Sequence, residues 1–189
     1  GLPLPILPTQ IMWANLIKGG PMNIALAYEP LYPAVMKRSP KHPDVAKVLS
    51  PELLKLILCV GVFTGFMLVA LHFTLVSIGT PIDELQSVMF GALSASSVAG
   101  AISLKSFGTR LWRLPFFSTK LLLASLAGSI FMLLIALYFP PIQMLVHTVT
   151  PSVYDLMIIV GAGLLNLFLV EVAKELFFIG PARREIKIA

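Results

Sequence analysis

Asn15, Lys18, Gly19, Gly20 and Pro21 fall within seven residues of one another, inside an otherwise apolar stretch. Proline has no backbone N–H, so Pro21 deprives the Ile17 carbonyl of its helical partner, and Gly19 and Gly20 make local unwinding inexpensive. An unwound turn offers carbonyl oxygens and the Asn15 amide, oxygen donors of the kind that hard cations prefer. Lys18 cannot ligate a metal ion. It can act as a tethered internal cation, as a proton-accepting amine or as the partner of a carboxylate. Its position near the middle of the stretch argues against snorkelling to an interface. The plainer alternative is a proline kink packed within a helix bundle.

The element carrying these residues is set by composition. The chain is 57% hydrophobic and 12% charged, with mean hydropathy +0.90. A soluble domain carries about 25% charged residues. The apolar runs approach the roughly 20 residues that a membrane helix needs, which predicts an all-α integral membrane protein. Five spans are expected: residues 8–27, 53–78, 82–104, 119–139 and 151–179, with the first broken mid-membrane, all in a single transmembrane domain. Ser50–Pro51 and Thr80–Pro81–Asp83 supply helix starts, Pro140–Pro141 a stop, and Gly180–Pro181 an end. Residues 28–50, with Pro30, Pro33, Pro40 and Pro43, read as an extended loop.

Charge placement gives the orientation. Lys37, Arg38, Lys41 and Lys47 precede the second span, Lys105, Arg110 and Arg113 follow the third, and Arg183, Arg184 and Lys187 follow the fifth. Residues 80–84 and 140–151 carry no Lys or Arg. The positive-inside rule then makes these two turns external, with loop 28–50 and the C-terminus cytoplasmic. An external start without a signal-peptide pattern fits a piece of a longer protein. The basic residues edge the spans rather than forming a basic domain, so a nucleic-acid partner is not expected. The lone Cys59 excludes an internal disulfide.

Elsewhere the polar residues read mostly as packing devices. The third span sets Ser94, Ser96, Ser97 and Ser103 among Gly91, Ala92, Ala95, Ala99 and Gly100, a pattern suited to close helix approach, with ion contact as the alternative. Gly61 and Gly65 form a GxxxG packing pair. Glu171 is expected to pair with Lys174 or a neighbouring basic residue, and His72 reads as a satisfied polar group. The sequence shows no nucleotide-binding loop, no Cys/His metal cluster and no nucleophile–base pair. The chain alone is therefore expected not to be catalytic and to hold no cofactor.

Residues 2–30 resemble the sixth transmembrane helix of P-type cation-transporting ATPases of the calcium- and sodium-pump branch, approximately L-P-x-x-x-x-P-x-Q-x-x-W-x-N-L-x-x-D-G-x-P-x-x-A-L-x-x-x-P. Leu2, Pro3, Pro8, Gln10, Trp13, Asn15, Leu16, Gly20, Ala25, Leu26 and Pro30 match in register. Met36, Arg38 and Pro40 resemble the family's M-x-R-x-P stretch, and residues 170–179 its last helix. The resemblance covers essentially the whole chain, as helices six to ten of a ten-helix pump.

The resemblance implies that Asn15 is an ion-ligand amide. It also implies departures: Gly19 stands where calcium and sodium pumps carry a ligand Asp, Ser96 where calcium pumps carry a ligand Glu, and Pro21 lies one residue early. On this reading Asn15, Lys18, Gly19 and Ser96 mark the ion pathway, and Lys18 replaces a bound cation, which suits proton movement or a monovalent or unusual substrate. The resemblance further implies ATP and Mg²⁺ for the intact pump, preceding membrane helices and cytoplasmic ATPase domains in the same protein, a transported cation, and a place in the plasma membrane. Loss of two carboxylates favours a second reading: a free-standing or degenerate five-span protein that scaffolds or regulates without transport. A secondary-transporter half is a third, weakened by the lack of a second broken helix.

Overall fold

Helices form wherever the apolar runs are bounded by proline, glycine or serine signals. A computed structural model describes residues 3–19, 51–104 and 120–176, and all regular structure among them is helical. In chain order the helices among these residues are α1 (Pro8–Gly19), α2 (Pro51–Ser77), α3 (Ile82–Leu104), α4 (Lys120–Tyr138), α5 (Pro140–Val146) and α6 (Val153–Lys174). Gly20, Pro21, the loop 28–50, the basic stretch 105–119 and the tail beyond residue 176 lie outside the described residues.

Three of these helices, α2, α3 and α6, are long and apolar enough to cross a membrane; α4 and α5, bent by 85° at Phe139, make a fourth if they count as one span. The described part of α1 has 12 residues, shorter than a bilayer requires. This is an integral, multi-pass, all-α bundle. Most of α3 is buried while little of α2 is, so α3 is the central helix.

Each boundary has a local cause. At the end of α2, Gly79 adopts φ +75°, and the Gly79 and Thr80 amides donate back to the Val76 and Leu75 carbonyls, closing the helix with a left-handed glycine. At the start of α6, Ser152 and Asp155 form a reciprocal capping box: the Ser152 hydroxyl accepts from the Asp155 amide, and the Asp155 carboxylate accepts from the Ser152 amide.

The main seam is the pair α3–α6, which run parallel. Ser103 meets Glu171 at an offset of 68 residues, and Gly91–Ile159 and Ala95–Gly163 meet at the same offset. A Cβ on Gly91 would stand 2.5 Å from Ile159 Cδ1, and one on Gly163 3.3 Å from the Ala95 Cβ. These two glycines set the close approach. Gly61 and Gly65, the GxxxG pair, are exposed with nothing within 4 Å of a Cβ position, so they join no described helices. The spacing alone could not tell which face of α2 would meet a neighbour.

The proline pair at 140–141 departs from expectation. Instead of only stopping α4, Pro140 and Pro141 occupy the first two positions of α5, where missing amides are tolerated. The carbonyls they orphan are Ala136 and Leu137. Thr148 Oγ1 donates to the Ala136 carbonyl, and Gln143 Nε2 donates to that of Leu137 at 2.6 Å. Residues 140–146, read as part of an external loop, thus form a short helix repaired from within.

Candidate ion pathway

Helix α1 has two unlike faces. Gln10, Ala14 and Ile17, spaced at i, i+4 and i+7, are buried. Ile11, Asn15 and Lys18 repeat that spacing one residue on; Ile11 and Asn15 are exposed and Lys18 is half-buried. Gly19, at the end of the helix, is also exposed. Asn15 and Gly19 therefore look away from the described bundle, with Lys18 half-buried beside them.

The buried face is fastened at three heights. Gln10 Nε2 donates to the His147 carbonyl at 3.2 Å, while Gln10 Oε1 accepts from the Leu7 amide. Trp13 Nε1 donates to the Met132 carbonyl at 3.3 Å, and Ser129 Oγ donates to the Ile17 carbonyl at 3.0 Å. The Ile17 carbonyl, expected to be free because of Pro21, is thus occupied. Gln86 Nε2, on α3, adds a bond to the Leu4 carbonyl just before α1.

Ser96 lies elsewhere. It is fully buried between α3 and α6, with its hydroxyl directed at the Ala162 carbonyl at 3.4 Å. Its own carbonyl accepts from Asn166 Nδ2 at 2.6 Å, and Asn166 Oδ1 accepts from Thr64 Oγ1 at 2.7 Å. Asn166 so ties α2, α3 and α6 together at one point. These bonds join Ser96 to α6 rather than to the exposed stripe of α1.

Farther along the seam, Lys174 and Glu171 form a buried ion pair at 2.8 Å. Lys174 Nζ also donates to the Ser103 carbonyl at 2.8 Å, and the Ser103 hydroxyl donates to Glu171. Such a pair is viable away from water only because further hydrogen bonds satisfy its members. The Ser94 hydroxyl and His72 Nδ1 are buried with no partner among the described residues; for His72 this departs from the expectation of a satisfied polar group.

One surface can be set aside as a cation site. An apolar groove of about 390 Å³ between α3, α4 and α6, lined by residues such as Val98, Leu134 and Val160, offers no ligand side chain. No cluster of three His, Cys, Asp or Glu residues suited to a metal ion occurs among the described residues.

Asn166 and Ser129 escaped the sequence reading. Asn166 carried a signal, an amide in the middle of an apolar span. Ser129 carried only half of one: Pro21 announces an orphaned carbonyl, but the helix supplying the donor is fixed by tertiary register.

The family described as Cation transporting ATPase, C-terminus, matches residues 3–176. A calcium-transporting ATPase of Bacillus subtilis (strain 168) is 31% identical over 173 residues, covering 89% of this chain and 19% of the relative. Calcium-transporting ATPase 1 of Yarrowia lipolytica is 31% identical over 94% of the chain and 19% of its own length. The mouse calcium-transporting ATPase type 2C member 2 is 25% identical over 92% of the chain and 18% of its own length. The chain thus spans about a fifth of the length of these relatives. With its apolar helical bundle and a family match running through every described helix, the chain belongs to the cation-transporting ATPase C-terminal family.

Proposed function

We propose that this chain is the membrane-embedded C-terminal part of an ATP-driven cation pump, with α1 contributing to the ion pathway and α2–α6 forming a supporting bundle. The observation that carries this reading is the division of α1: one face is bolted to the bundle, and the other presents Asn15 and Lys18 outward. That outward face fits helices supplied by the rest of the pump. ATP and Mg²⁺ would act on cytoplasmic domains of the same protein, and the C-terminus would lie in the cytoplasm of a plasma-membrane pump.

Calcium is the first cation to test, because the relatives are calcium-transporting ATPases. Gly19, and Ser96 if it joins the site, supply no carboxylate, so we infer a pathway with fewer negative ligands. Lys18 then acts as a built-in positive charge that replaces one bound cation. ATP-driven calcium uptake, and proton movement followed with a pH dye, are measured in vesicles holding the intact protein. A Lys18→Ala variant should change transport and its pH dependence; unchanged transport at every pH sinks the role given to Lys18. The missing carboxylates also favour a degenerate scaffold. Intact protein that moves no ion in an ATP-dependent way would establish that reading instead.

A further inference from the structure

We propose that Ser129 is a positioning residue for the cation pathway. Its hydroxyl replaces the amide that Pro21 lacks, holds the Ile17 carbonyl against α4, and so aims the last described turn of α1 with Asn15 and Lys18. This inference rests on the pump reading above.

In an uninterrupted helix the residue-21 amide donates to the residue-17 carbonyl, and proline cannot. Ser129 is fully buried and donates to that carbonyl at 3.0 Å, and Ile17 is itself fully buried. Water therefore does not serve as the substitute donor, and a buried carbonyl without one is unfavourable. Gln10 and Trp13 fasten the earlier turns of α1. Ser129 is the fastening nearest Lys18, because the carbonyl it holds is adjacent to Lys18 in sequence, and it lies two residues from Asn15, as Trp13 does.

Magnitude makes the position matter. Rotating a helix by about 20° swings a side-chain tip by about 2 Å, given a helix diameter of roughly 10–12 Å. Calcium–oxygen distances span only about 0.3 Å. A small roll of α1 is thus enough to misplace the Asn15 oxygen. The bond also occupies one of the two acceptor positions of the Ile17 carbonyl.

The test uses the intact protein and ATP hydrolysis as a function of calcium concentration and of pH. Ser129→Thr keeps the hydroxyl, and Ser129→Val replaces it with an apolar side chain of the same shape as that threonine. Ser129→Val is expected to raise the half-saturating cation concentration by roughly tenfold, the loss of about one hydrogen bond, with the maximal rate per folded molecule retained. Ser129→Thr is expected to stay close to the parent. If valine disturbs folding, Ser129→Ala carries the same comparison.

A variant that lowers only yield or melting temperature, with half-saturation unmoved, overturns the proposal in favour of packing. An equal shift from Ser129→Thr and Ser129→Val overturns it too, because the effect then does not depend on the hydroxyl. Intact parent protein without cation-stimulated ATP hydrolysis overturns the pump reading, and this proposal with it.

Discussion

Pro21 and Pro140–Pro141 each follow a helix whose carbonyls they cannot serve, and the chain supplies the missing donors differently. After α4, the carbonyls of Ala136 and Leu137 are served by Thr148 and Gln143, both within twelve residues. That repair is local and can form with its own segment. The Ile17 carbonyl is instead served by Ser129, 112 residues away on another helix. A local repair shapes one corner, while a remote one couples two helices. Remote repair is what an element needs if its orientation must be set by the bundle around it. Of the two, it is the remote case that lies beside the candidate ion-pathway residues Asn15 and Lys18.

The comparison holds only if stability and ion response can be separated, and the strongest test lies where the structural role is plainest. Lys174→Met strands the Glu171 carboxylate without its ammonium, and the expected cost is about 3–5 kcal/mol. Thermal unfolding in detergent should show a large loss, and adding Glu171→Leu should recover most of it. A change in half-saturating cation among surviving molecules would break the separation.

Gly91→Leu forces the α3–α6 seam apart at Ile159 and should cost about 1–3 kcal/mol, read in the same melt. Thr148→Val tests the local repair. It leaves the Ala136 carbonyl without its donor, at a cost of about 1–3 kcal/mol. A shift in ion response from Thr148→Val would erase the distinction between local and remote repair. Ser97→Ala removes a hydroxyl that bonds within its own helix, to the Leu93 carbonyl. Its expected effect is within about 0.5 kcal/mol, and its melt sets the baseline for the others.

How much of this was legible follows from what each residue type can announce alone. Hydropathy and the helix-start signals disclosed an all-α membrane bundle, because span length and capping are local properties. The Glu171–Lys174 pair was legible from its three-residue spacing. The second use of Pro140–Pro141 was not, since a proline pair reads equally as a stop and as the first turn of a new helix. The glycines divide the same way. Gly61 and Gly65 had the recognised spacing but meet nothing among the described residues, whereas Gly91 and Gly163 sit on the seam. Asn15 and Lys18 were visible as chemistry inside an apolar run. That they face outward, while Ser96 faces α6, depended on how the helices roll against one another.

The parallel α3–α6 seam has a consequence for biosynthesis. Two parallel membrane helices cannot be joined by a tight turn, so α4 and α5 must be made between them. Ser103 therefore leaves the ribosome 68 residues ahead of Glu171. At about 5–20 residues per second, that interval is roughly 3 to 14 seconds. Until it ends, α3 sits in the lipid or the translocon with Ser96 and Ser103 still lacking the α6 groups they bond. Helix α6 is thus the one that completes the central helix. Nascent chains arrested before α6 emerges should be held by the insertion machinery, and release should coincide with synthesis of α6.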